Sequence, residues 1–515
     1  MSSISVETWK EELPLFRERT AAFYSGEMNK AAYKGFSGFY GSYAQRDGKA
    51  SMLRLRMPAG RVTRNRLGFV AEMIRKYHLT KVHFTTCQTI QLHDLGPDIL
   101  GDVMEEALDA GIVIIGGGGD YPRNVMSSPL SGVEEDEYFD VTPWAEAAGN
   151  YLLGFIKAEK MPRKLKVGFS NSPKNLTHAT YRDLGFAARE DGKFDVYSAG
   201  GLGNNARMGV KIAEAVEPEK ILYYIKAMWL TFRAYGNYES RGKARTRYMQ
   251  EALGGPEQYR EAFLQKLKEV MDSGEDLDIS PDTEPVTRQG SGECKESARV
   301  RRQKQPGLYT VVWHPIGGQP RVESLTALYD TIRDMEAVEM RLAPDESAYI
   351  INLTADEVEG VLNATRDSAE SLFETSVSCI GASICQVGLR DSQELLASCV
   401  RAVREAGIAD GALPQIHISG CPSSCGTHQT GSIGFRGAGK MVDGKSQPGF
   451  MLYVGGQERQ GQEAFGRELG VILSERIPEF LVALGKTVQT AGKDYEAWHS
   501  SDPEAIEKLA ADYLA

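Results

Sequence analysis

The sequence predicts an α+β protein whose chain is built twice. Two observations carry that expectation. A strand–turn–helix pattern recurs, diverged, in the two halves of the chain. Its strand segments alternate apolar and polar residues, while the segments that follow carry apolar residues at helical spacing. The first copy begins at Met52 with "MLRLRMPAGRVTRNRL", the second at Tyr309 with "YTVVWHPIGGQPRVESL". Each reads as a short strand, a Gly/Pro turn and a helix start.

Farther along, "KVHFTTCQTIQLHDL" is answered by "AYIINLTADEVEGV". The alternation in "LRLRM", "VHFTT" and "YIINL" fits half-buried strands, and "TRNRLGFVAEMIRKY" and "SLTALYDTIRDMEA" fit amphipathic helices. Strand–helix–strand units repeated in this way suggest paired ferredoxin-like elements. The expected organisation is an N-terminal wrapping segment (1–50), a ferredoxin-like half-domain (51–120), a larger lobe (121–273), a linker (274–307), a second ferredoxin-like half-domain (308–365) and a second lobe (366–515). The linker is polar and charged. Its basic end reads either as a solvated face or as a docking point or cofactor contact.

Two glycine-rich stretches need separate readings. "IIGGGGDYPRNV" (114–125) lacks G-x-G-x-x-G spacing opening a helix, so it is not read as a nucleotide-binding loop. "SAGGLGNNARMGV" (198–210) is a loop by composition. No flavin or nicotinamide fingerprint occurs elsewhere.

The 515 residues are 42% hydrophobic and 25% charged, which is ordinary for a soluble protein of about three domains. The N-terminus has no basic region followed by an apolar run, and nothing reads as a membrane span. A cytoplasmic protein is expected. The net charge of −11 argues against a nucleic-acid partner and says little about small anions.

Seven cysteines in such a chain point to metal or redox chemistry rather than disulfides. Four fall into two close pairs: Cys379 and Cys385 as C-x5-C, then Cys421 and Cys425 as C-x3-C. Gly381, Gly420, Gly426 and Pro422 keep both loops tight. From spacing alone an iron–sulfur cluster, a zinc site and inert thiols all stay open, although five intervening residues are long for zinc. Cys294 and Cys399 stand alone and read as structural. Basic residues recur at period two: Arg54 and Arg56 in "LRLRM", Lys164 and Lys166 in "MPRKLKVGF", with Arg123 in "YPRNV". On pattern alone they are solvated charges.

C-x5-C followed by G-C-P-x-x-C-G resembles the signature of sirohaem-dependent sulfite and nitrite reductases. The resemblance covers nearly the whole chain from about residue 30. It implies a pseudo-two-fold pair of ferredoxin-like units over two larger α/β lobes around sirohaem and a [4Fe–4S] cluster held by Cys379, Cys385, Cys421 and Cys425, with Cys425 also bridging to the sirohaem iron. It implies a substrate pocket of Arg54, Arg123, Lys164 and Lys166, in which the lysines also donate protons. Sirohaem carries many carboxylates. By resemblance these fall to the segment "SRGKARTRYMQ", with Arg241, Lys243, Arg245 and Arg247, and to His83, Thr85, Cys87, Gln88 and Gln91. The 198–210 loop is then expected near the tetrapyrrole. One position departs from the family pattern: Thr-Thr-Arg-Gln-x-x-Gln has Cys87 where arginine is usual. Cys87 is expected to be an inert replacement whose thiol is dispensable.

The activity so implied is six-electron reduction of sulfite to sulfide, with an external donor such as ferredoxin. Nitrite reduction to ammonia is the alternative, since the family's nitrite members usually carry asparagine where Lys166 stands. A non-catalytic iron–sulfur or zinc protein is the third reading.

Overall fold

In the computed structural model, which describes residues 6–282 and 286–515, the alternation of "LRLRM" becomes the strand Ser51–Arg56. Its Leu53 and Leu55 are fully buried on one face, while Arg54 and Arg56 point to the other. The first residues of the N-terminal segment (1–5) and part of the expected linker (283–285) lie outside the described residues.

Chain contacts divide the protein into two units. One comprises the residues up to Gly201 with Asn205–Trp313 and Pro320–Arg366; the other comprises Leu202–Asn204, His314–Gln319 and Asp367–Ala515. The first unit holds three sheets. An antiparallel sheet runs Ser42–Ala44, Ser51–Arg56, Thr89–Leu95, Val82–Phe84. A second has the same order, Val300–Arg302, Tyr309–Trp313, Ala348–Leu353, Glu339–Leu342, and gains Arg61–Val62 from the first half-domain at its edge. These are the two ferredoxin-like half-domains. Helix Arg64–Tyr77 belongs to the first, started by Thr63, whose hydroxyl accepts from the Arg66 amide. Helix Val322–Ile332 is its counterpart, burying Leu325, Leu328 and Ile332 at helical spacing.

One continuous hydrophobic core serves both half-domains. Phe84 of the first meets Trp313 of the second edge-to-face, with ring centroids 5.5 Å apart. Trp9, Leu13 and Phe16 of the N-terminal helices enter the same core, and Arg17 pairs with Asp102 (2.6 Å) and Glu105 (2.9 Å) outside it.

The third sheet of this unit runs Val210–Val216, Phe194–Ser198, Leu184–Ala188, Val167–Ser170, Met126–Ser127. The second unit repeats it: Arg467–Leu473, Lys445–Val454, Ile433–Val442, Ile416–Ser419, Val377–Ser378. In both, the first two strands of each set in the chain pair in parallel and the last two antiparallel. The duplication read from two segments therefore runs through the lobes as well. The basic end of the linker forms the strand Val300–Arg302, and its charges have partners within the first unit: Arg299 donates to the Val312 and Thr365 carbonyls (3.0 and 2.9 Å), and Lys304 meets Glu137 (2.6 Å).

Candidate functional site

The basic residues of the first unit converge because three segments are stitched together by backbone bonds. Arg123 N–H donates to the Leu165 carbonyl (2.8 Å) and Pro122 bridges to Leu165, which is fully buried. Lys164 and Lys166 flank Leu165 and so share the opposite face. The glycine stretch 114–119 supplies acceptors. Arg54 and Arg123 both donate to the Gly117 carbonyl (2.7 and 2.6 Å), and Arg123 also reaches Gly119 O (2.9 Å). A side chain at Gly118 would put its Cβ 2.5 Å from the Gly38 carbonyl, so only glycine lets these backbones approach. The stretch rejected as a nucleotide loop is thus a clamp for two guanidinium groups.

Arg56, two residues from Arg54, is buried and donates to the Pro122 and Arg123 carbonyls (2.9 and 3.1 Å). It holds the loop that presents Arg123. Burial first, and the neighbouring Arg123 second, bring Arg56 down to about 9. Burial and then Arg54 bring Arg123 down to about 10. Guanidinium groups packed together at this cost, with backbone carbonyls as their partners, are poised for an anion. Nε of Arg123 is buried without a hydrogen-bond partner.

Lys166 is fixed through its backbone N–H, which donates to Asp183 (2.8 Å). Asp183 is buried and takes Arg245 (2.9 Å) and the Thr246 hydroxyl as further partners, so its carboxyl lies below the usual range: burial opposes this, and Arg245 outweighs it. The Lys166 ammonium meets the Cys87 sulfur at 3.1 Å. Asn124 ties the Cys87 turn in place by donating to the Cys87, Gln88 and Met57 carbonyls (3.1, 3.0 and 2.8 Å).

The other residues expected at the cofactor are distributed as follows. Thr85 accepts from the Cys87 and Thr89 amides (3.3 and 3.2 Å), closing the turn. Gln88 is fully buried and spends its amide inside the protein, donating to Ser127 O and Leu342 O and accepting from Ser127 N. Gln91 lies beside Arg54, and with its oxygen turned to the guanidinium accepts at 2.7 Å. His83 is buried, 3.6 Å from Glu346 and edge-on to His93. Arg241 is mostly exposed and pairs with Asp120 (2.5 Å), which also pairs with Arg163. Arg247 donates to Asn205 O (3.0 Å) and lies over the Tyr248 ring. Nε of Arg245 is buried without a hydrogen-bond partner. Among the described residues, that atom and Nε of Arg123 are the kind of unspent donors a polycarboxylate would take.

The cysteines sit in the second unit on loops that leave the strands Val377–Ser378 and Ile416–Ser419. Cys379 N–H donates to Ile418 O (3.1 Å), and the Gly426 amide donates to the Ser419 hydroxyl (3.0 Å). A Cβ at Gly426 would lie 2.1 Å from Ile418 O, so the turn around Cys425 tolerates no side chain there. Ser424 and Thr427 adopt left-handed conformations on either side of it. The Gly420 N–H points at the Cys379 sulfur (3.2 Å), while the Ser392 hydroxyl donates to the Cys379 carbonyl (2.7 Å) and its oxygen lies 3.2 Å from the sulfur. Donors aimed at a sulfur stabilise its thiolate and fit a cluster ligand. Burial and the nearby Cys425 hold the Cys379 thiol up to about 12, a state a metal would reverse. Among the described residues no three His, Cys, Asp or Glu side chains converge on a single-ion site. Cys399 is fully buried in the core of this unit, and Cys294 packs against the half-domain core. The piece Leu202–Asn204 of the 198–210 loop belongs to this unit too, where Gly203 exchanges hydrogen bonds with the Gln429 amide (2.7 and 3.0 Å).

Sequence reasoning missed Arg56 as a brace, Asn124, Asp183 and Arg182. Period two does place Arg56 beside Arg54. Nothing in the pattern distinguishes a buried polar face from a solvated one.

The chain is similar to known proteins over most of its length. Residues 118–271 match the family described as "Nitrite and sulphite reductase 4Fe-4S domain", and residues 43–110 the "Nitrite/Sulfite reductase ferredoxin-like half domain". A "Ferredoxin--nitrite reductase" of Leptolyngbya laminosa is 26% identical over 446 residues, covering 83% of each chain. A "Sulfite reductase [ferredoxin] 1" of Mycolicibacterium paratuberculosis is 22% identical over 473 residues, covering 88% of this chain and 82% of that one. The solved structure of the Mycobacterium tuberculosis NirA protein superposes with a TM-score of 0.76 over 99% of this chain and 97% of that one, at 21% identity. Among the described residues no helix is long and apolar enough to cross a membrane.

Proposed function

The chain belongs to the nitrite and sulfite reductase family, an oxidoreductase family that uses sirohaem and a [4Fe–4S] cluster, and from that premise we propose that it reduces sulfite to sulfide with electrons from a one-electron donor such as ferredoxin. Cys379, Cys385, Cys421 and Cys425 would hold the cluster, with Cys425 shared with sirohaem. Arg245 and Arg247 would meet sirohaem carboxylates. When bound, the two groups supply single electrons and a metal that draws charge from the substrate.

The chain's own part is to gather and neutralise the anion and to supply protons. Arg54 and Arg123, locked on one carbonyl, offer fixed guanidinium donors that need no reorganisation. Lys164 and Lys166 offer ammonium protons to the oxygens that leave as water. The single observation that carries the reading is that Arg54 and Arg123 are held together on the Gly117 carbonyl. Lys166 inclines it to sulfite, the more highly charged anion near neutral pH. A second reading, nitrite to ammonia, is favoured by one contact: the Cys87 sulfur on Lys166 offsets part of the charge that prefers sulfite.

The test is steady-state turnover of both anions by the purified holoenzyme with one artificial donor. A higher kcat/KM for sulfite is expected. A clear preference for nitrite would reverse the assignment.

A further inference from the structure

Cys87 has a setting that no inert replacement requires. Its sulfur is 3.1 Å from the Lys166 ammonium. Its turn is fastened by Thr85 and Asn124, which fix the backbone that carries the sulfur. Besides Lys166, the charged groups acting on it are Arg182 and Lys164, and Arg123 feels it in return. Arg182 is itself held by the Thr177 carbonyl (2.6 Å) and His178. A sulfur among four cations, with an ammonium at hydrogen-bond distance, is the environment that ionises a thiol.

We propose that Cys87 stands in the anion pocket as a thiolate that positions the Lys166 ammonium and lowers the pocket's net positive charge. This deepens the reading above and rests on it only for its effect on turnover. Burial alone would push the thiol up. Lys166 first, then Arg182 and Lys164, overcome it and bring the group down to about 6. At neutral pH the incoming anion then competes with the thiolate for Lys166, and the pocket's preference for a dianion is weakened. Where arginine would extend the cationic surface, Cys87 reverses the sign of one position.

The decisive readout does not depend on activity. Infrared difference spectra of the holoenzyme, wild type minus Cys87→Ser, report the S–H stretch of this one thiol. The band should be absent well above pH 6 and appear as the pH falls through about 6. In Lys166→Gln it should already be present at neutral pH. Cys87→Ala repeats the subtraction should the serine variant fold poorly. An S–H band at neutral pH in the wild type would overturn the proposal. The functional readout uses nitrite, which stays a monoanion across this range. Its KM should fall by roughly 10-fold in Cys87→Ser, the worth of one charge-assisted hydrogen bond, and lose the inflection near pH 6. An unchanged KM and pH profile would also overturn it. If neither anion is turned over, the proposed activity fails while the S–H band still decides the state of Cys87.

Discussion

Arg54 and Arg123 share one acceptor, the Gly117 carbonyl, so whatever moves that loop moves both donors. Arg56 secures the other end by capping two buried carbonyls. Replacing Arg56 with leucine leaves those acceptors unsatisfied and should cost about 2–4 kcal/mol in chemical denaturation. It should also raise the KM for the anion more than it lowers kcat. Lys166→Asn removes one ammonium. It should lower kcat/KM for sulfite by roughly 10- to 100-fold and for nitrite by much less, measured on both substrates with one donor. Equal losses would remove Lys166 as the discriminator. Cys87 adds a pH dependence. Its folded value, about 6, lies below the ordinary thiol value of 9.0, so the folded protein releases this proton more readily. The stability it contributes is present above pH 9 and is lost as the pH falls through 6. Thermal unfolding of the wild type should therefore gain stability between those values relative to Cys87→Ser.

At the level of elements, the cysteine loops are shaped by backbone as much as by sulfur. Serine at Cys379, Cys385, Cys421 or Cys425 should remove most of the iron, whereas Cys294→Ser and Cys399→Ala should keep it, read by metal analysis. Gly426→Ala should lose iron although every thiol is intact, because its Cβ collides with Ile418 O. Much of this was legible. The repeated strand and helix could be read because one face of each is buried and the other polar. The larger lobes could not be paired from sequence. Their strands Val167–Ser170 and Ile416–Ser419 are buried on both faces and lack alternation, and Met126–Ser127 and Val377–Ser378 are too short to show a period. The Cys87–Lys166 contact joins residues 79 apart, and only the folded chain brings them together. The glycine stretch was legible as a loop, but its use depends on where its carbonyls point, which composition does not encode.

For the whole molecule, the two ferredoxin-like half-domains are one thermodynamic object. Phe84 and Trp313 touch across a single core, and Arg61–Val62 of the first half completes the sheet of the second. Trp313→Ala should cost about 3–5 kcal/mol. It should speed amide exchange in Ser51–Arg56 and Thr89–Leu95 as well as in its own sheet, measured by hydrogen exchange with mass detection. Acceleration confined to Tyr309–Leu353 would show that the halves are independent.

That edge strand also sets a clock. Arg61 and its partner Glu339 are 278 residues apart, and a ribosome adding 5–20 residues per second takes roughly 15–55 s to cover the distance. For that interval the nascent first half waits with an unpaired strand and an open apolar face, long enough for chaperones or for neighbouring chains on the same message to reach it first.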